Sequence, residues 1–125
     1  MDPTSSQRYR QRSREDPPHE TFPDDEVIQR VLEPLDDPDC LAILDAIDEE
    51  TLSASELAEA CDLPLSTAYR KLELLVDAGL VSQGVRISSS GNHTAEYERL
   101  VDDVKLSVSP DGFTLRISRR DVDRR

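Results

Sequence analysis

Five residues within one six-residue run carry groups suited to a polyanion: Ser66, Thr67, Tyr69, Arg70 and Lys71. Small hydroxyls come first, then a phenol and two cations. Hydroxyls bond phosphate or base edges, and a guanidinium forks onto the paired acceptors of a guanine. On a helix, the free N–H groups at its start also favour phosphate. An ordinary solvated helix face carries polar residues as well, so the run gains meaning only from its setting. That setting is Ser53 to Val81, SASELAEACDLPLSTAYRKLELLVDAGLV.

The spacing predicts two helices and a tight turn. Ser53 can cap the first helix, and Glu56 can reach back to the cap three residues on. Ala54, Leu57, Ala58 and Cys61 give it one apolar face. Cys61-Asp62-Leu63-Pro64 breaks it, since proline suits only the first turn of the helix that follows. Leu65, Ala68, Leu72, Leu75 and Val76 form the apolar face of the second helix, expected over 65–78, and Gly79 stops it. Two helices joined by about four residues make a helix-turn-helix, whose second member can enter a DNA major groove.

The elements on either side must hold this pair. Val27, Ile28, Val31, Leu32 and Leu35 mark a helix from Asp25, capped by Asp24 or Asp25 and ended near Pro34. Asp37-Pro38 opens another, with Cys40, Leu41, Ile43, Leu44 and Ile47 on its buried side. Leu52 can supply a short strand. After Gly79 the period changes to two, with Val81, Val85 and Ile87 on one strand face. Ser88-Ser89-Ser90-Gly91-Asn92 turns the chain, and His93 to Leu100 returns with Ala95 and Tyr97 on its core side. This ribbon, 80–100, is the wing, with Arg86 and His93 flanking its tip and able to reach phosphate or a minor groove. A second hairpin follows, 101–118. Val104, Leu106 and Val108 are set against Phe113, Leu115 and Ile117 around Ser109-Pro110-Asp111-Gly112. An isolated hairpin is marginal in water, so its apolar face needs the winged domain or the same hairpin of a second subunit.

The pattern L-P-x-S-T-x-Y-R-K-L-x-x-L-x-x-A-G-L over Leu63 to Leu80, within a match spanning about residues 37–100, resembles the winged helix-turn-helix core of ArsR-type transcriptional regulators, in their haloarchaeal form. The resemblance implies an α+β winged helix-turn-helix, with three to four helices, a β-wing and here a C-terminal β-hairpin. It also implies a regulatory role on double-stranded DNA as a homodimer, and an unknown small-molecule effector is compatible with it. In such proteins the first helix often joins two subunits, and bacterial members usually end in a helix. A terminal hairpin departs from that. Founding metal sensors carry paired cysteines before the reading helix, whereas ELAEAC holds only Cys61. Cys40 and Cys61 therefore read as small core residues, and neither metal nor cofactor is expected.

The net charge of −12 is unevenly placed. Residues 25–79 carry fifteen acids against three cations, and two of those cations are Arg70 and Lys71. Lysine occurs only at 71 and 105, against thirteen arginines. An acidic, lysine-poor surface suits a cytoplasm at molar salt, and otherwise suits basic protein partners. Residues 1–24, rich in Pro, Ser, Arg and acid, read as a disordered tail. Its Arg8, Arg10, Arg12 and Arg14 form either a solvated segment or an arm for a minor groove. Residues 119–125 read as a charged tail. Neither a membrane span nor a signal segment is visible, so a cytoplasmic protein is expected. Phosphate-loop, dinucleotide and nucleophile-elbow motifs are missing, and the acid pairs sit in polar surroundings, so no enzyme is expected. Two functions stay open: a sequence-specific DNA-binding regulator, or a winged-helix module of the transcription apparatus that binds protein without touching DNA.

Overall fold

The helix-turn-helix packs against one small antiparallel sheet, and a second small sheet packs against the first helix of the chain. The computed structural model describes residues 19–22 and 25–120. The chain runs β1 (His19–Phe22), α1 (Asp25–Leu35), α2 (Pro38–Ala46), β2 (Leu52–Ser53), α3 (Ala54–Cys61) and α4 (Leu65–Asp77). It continues as β3 (Val81–Ile87), β4 (His93–Arg99), β5 (Val101–Ser109) and β6 (Gly112–Arg119). One sheet has the order β2-β4-β3 and is the wing; the other has the order β1-β6-β5. This is the α+β winged helix-turn-helix with four helices and a C-terminal hairpin that the pattern predicts. No helix among the described residues is long and apolar enough to cross a membrane.

Local chemistry sets the helix ends. Asp37 caps α2, its carboxylate accepting the Asp39 N–H at 2.9 Å, with Pro38 in the first turn. Pro34 lies in the last turn of α1, where it has no N–H to continue the ladder, and the helix ends one residue later. In α2 the buried stripe is Cys40, Ile43, Leu44 and Ile47. Leu41, expected on it, is 48% exposed because it sits one residue, about 100°, off that stripe.

The core is shared by every layer. Ile28 and Val31 of α1 meet Ile43 of α2, Leu57 of α3, Leu72 and Leu75 of α4, Val81 and Tyr97 of the wing, and Leu115 and Ile117 of β6. The hairpin expected as a separate unit over 101–118 is thus half core, half projection. A single residue, Leu100, links the sheets. Its N–H donates to the Leu80 carbonyl at 2.9 Å, and its own carbonyl accepts the Arg120 N–H at 2.8 Å. Arginines clip the junction. Arg120 bridges Asp48 at 2.7 Å and Asp102 at 2.8 Å, and Arg119 donates to the Gly79 carbonyl at 3.0 Å. Residues 119 and 120 therefore belong to the folded body rather than to a tail.

The expectation of an unstructured 1–24 also fails in part. Residues 19–22 pair antiparallel with β6, His19 opposite Ser118 and Phe22 opposite Leu115. The second edge of β6 needs backbone partners, and this segment supplies them whatever its own propensity. The arginines of 8–14 and the tail 121–125 lie outside the described residues.

Candidate nucleic-acid interface

The reading unit begins with the capping box. The Ser53 hydroxyl accepts the Glu56 N–H at 3.2 Å, and the Glu56 carboxylate accepts the Ser53 N–H at 2.8 Å. The turn follows from Asp62, which takes the left-handed conformation (φ 58°, ψ 51°) that aspartate tolerates better than most residues. Leu63 N–H then reaches back to the Ala58 carbonyl at 2.8 Å. Pro64 stands just before α4 rather than inside it, and its carbonyl accepts the Ala68 N–H at 3.0 Å. No side chain caps α4, which leaves its first N–H groups available. At the far end Gly79 (φ 79°) and Leu80 donate back to the Val76 and Leu75 carbonyls, each at 3.0 Å, a Schellman closure that glycine permits.

Ala68, Leu72 and Leu75 lock the inner face of α4 into the core. The outer face presents Leu65, Ser66, Tyr69, Arg70, Glu73 and Asp77, with Thr67 half-buried at its margin. Leu65, expected inside, is 44% exposed, because the inner stripe begins at Ala68 and position 65 opens on the turn. Arg70 is exposed, and among the described residues no hydrogen bond or ion pair holds it. Tyr69 is 51% exposed, beside a cleft between α4 and the wing lined by Leu72, Gln83 and Tyr97. Tyr97 is buried, as expected from its alternation with Ala95.

Two of the expected contact residues are engaged inside the chain. Lys71 is half-buried and ion-paired with Asp37, the cap of α2, so it braces α4 against its neighbour. The shared hydrogen bond holds the Asp37 carboxyl below its usual range and raises Lys71. Arg86 forks onto Glu56, its two terminal nitrogens at 3.1 and 3.3 Å from the carboxylate oxygens, while its Nε sits 3.1 Å from Glu96. It ties the wing to the capping box instead of standing free at the tip. Arg86 and the Ser53 N–H together pull Glu56 down to about 2. Asp37 and Glu56 are not legible as partners, since they lie 34 and 30 positions from Lys71 and Arg86 in sequence; Glu96 is ten positions from Arg86, across the wing hairpin.

His93 is exposed at the start of β4, opposite Ile87. Val85 and Ile87, expected to share the buried face of Val81, are 61% and 67% exposed. They do share its face, but β3 runs out past the end of the core. With Tyr69 they are large hydrophobic side chains left exposed on α4 and the wing. Burial pushes the Cys40 thiol up to about 11, as suits a core residue, and Cys61 is half-buried.

The profile described as "Helix-turn-helix domain" matches residues 35–83, from the end of α1 into β3. No curated protein matches the chain. Among solved structures, a possible transcriptional regulatory protein (fragment 1–100) from Mycobacterium bovis is similar at 26% identity and a TM-score of 0.52, covering 59% of this chain and 74% of that one. A solution structure from the same organism is a homodimeric winged helix-turn-helix DNA-binding domain of a possible ArsR-family regulator. It matches at 26% identity and a TM-score of 0.50, over 59% of this chain and 64% of that one. NolR from Sinorhizobium fredii matches at 27% identity and a TM-score of 0.52, over 62% and 72%. The chain thus contains a helix-turn-helix domain, in a fold shared with the winged DNA-binding domain of a possible ArsR-family regulator.

Proposed function

We propose that this chain is a sequence-specific, DNA-binding transcriptional regulator that acts as a homodimer. Its α4 reads the major groove and the wing flanks it. The observation that carries this reading is Arg70, a guanidinium without a partner among the described residues, on the outer face of a helix whose inner face is fixed by Ala68, Leu72 and Leu75. The helix-turn-helix match and the two possible regulators from Mycobacterium bovis among the similar structures support it.

The contact set is Ser66, Thr67, Tyr69 and Arg70 on α4, and His93 on the wing. Lys71 and Arg86 act behind it as braces. Val85 and Ile87 add apolar contact beside the groove. With Glu73 and Asp77 sharing the helix face, attraction to phosphate is weak, and recognition rests on close donors and shape. That economy fits the acidic, lysine-poor composition and a cytoplasm at molar salt. There the Debye length is ~3 Å and distant acids repel DNA little.

Selection from a pool of random duplexes, run at low and at molar salt, tests the proposal. The expected product is a paired motif with half-sites one helical turn apart, about 10–10.5 base pairs between centres. A pool that stays random at every salt concentration contradicts DNA reading and leaves the protein-binding alternative.

A further inference from the structure

The C-terminal hairpin carries more apolar surface than the domain covers. Near the junction, Leu115 and Ile117 are buried against the helices, while toward the tip Leu106, Val108 and Phe113 remain 43%, 68% and 49% exposed. Register places these residues on one face: Val104 opposite Ile117, Leu106 opposite Leu115, Val108 opposite Phe113. Among the described residues β5 is also an outer strand, paired only with β6 in its sheet. It is nine residues long and has no proline, and its irregularity is confined to Val101/Asp103. A long, apolar outer strand of this kind is a template for another chain.

We propose that the occupant is a second copy of this chain, added antiparallel along β5 with the twofold axis through Leu106. A twofold axis perpendicular to the sheet can only set residues of equal parity opposite one another, so few registers exist. An axis on Lys105 sets like charges face to face, which is unfavourable. An axis on Val104 sets Leu106 against Asp102, whose carbonyl Arg99 already holds at 3.1 Å. With the axis on Leu106, that residue meets its own copy and Val104 meets Val108. Lys105 then faces Ser107 and Asp103 faces Ser109, so no two charges are opposed. The projecting end of each hairpin comes beside the end of the other that rests on helices.

Area shows why the edge is needed. At roughly 150–200 Å² per large side chain, the three exposed residues of two copies offer on the order of 600 Å². A stable interface takes about 1,200 Å² or more. The remainder comes from backbone pairing along β5 and its flanking side chains. The arrangement names the surface of the homodimer proposed above and needs no DNA, so its failure leaves the reading helix untouched.

Sedimentation of the full chain, with two cysteine variants under mild oxidation, tests the surface. The wild type sediments as a dimer. Leu106→Lys, at an exposed position that leaves the far-ultraviolet spectrum unchanged, halves the mass. Leu106→Cys forms a disulfide dimer, since paired residues on the axis lie about 4.5–5.5 Å apart. Lys105→Cys, diagonal to its copy at roughly 8 Å, does not. A monomeric wild type, a Leu106→Lys variant that stays dimeric, or equal cross-linking at 105 and 106 overturns the proposal.

Discussion

Adjacent cations on one helix have opposite fates, and the difference is geometric. Arg70 points away from the core and is unpaired among the described residues; Lys71, one position on, turns inward to the cap of α2. Replacing them separates recognition from folding. Arg70→Ala weakens specific binding by about 1–3 kcal/mol and leaves the denaturation midpoint in place. Lys71→Ala lowers that midpoint and keeps the base preference, as parallel binding titrations and denaturant melts will record. Glu56 sets a pH dependence. Its carboxyl is drawn from 4.5 to about 2 by Arg86 and the Ser53 N–H. A carboxylate depressed on folding adds stability above its unfolded value and loses it as pH falls through the folded one. The chain therefore loses stability between about pH 5 and pH 2, with Asp37 and Asp48, also lowered, contributing. Glu56→Gln flattens that slope in urea melts across the window; an unchanged slope removes the assigned role.

At the scale of elements, what could be read from sequence is what is decided locally. The capping box, the Asp37-Pro38 start and the Gly79 stop each depend on neighbours within a few positions, and each stands where the pattern puts it. Ala added at 79 must hold φ 79°, so Gly79→Ala costs about 1–2 kcal/mol in a thermal melt. Leu72→Ala, emptying a side chain 1% exposed, costs about 2–5 kcal/mol. Long-range choices were not legible. Alternation placed Val85 and Ile87 on the right strand face, but it carries no information on where the core ends. The strand at His19–Phe22 has no apolar alternation of its own and exists because β6 offers it an edge. Arg86 has the composition of a phosphate contact, and only the fold brings Glu56 and Glu96 to it. Half the expected hairpin core is exposed for the same reason: a strand pattern marks its apolar face without saying what lies opposite.

For the whole molecule, the net charge of −12 and an outer α4 face on which Arg70 is the cation unpaired among the described residues set the energetics of the proposed binding. A protein that neutralises few phosphates releases few counterions, so the logarithm of its affinity falls only shallowly with the logarithm of salt. The predicted slope is about −2 to −4 per dimer, against about −10 for a repressor that neutralises many phosphates. Fluorescence titration in potassium chloride from 0.1 to about 2 M checks this, and a steep slope transfers binding to cations outside the described residues. The proposed recognition turns on one contact, Arg70 on the outer face of α4 against base edges. Methylation protection at guanine N7 on the selected duplex tests it most directly, with wild type and Arg70→Ala compared at saturation. One guanine per half-site is expected to be protected by the wild type and exposed in Arg70→Ala. An identical guanine pattern in both proteins contradicts it.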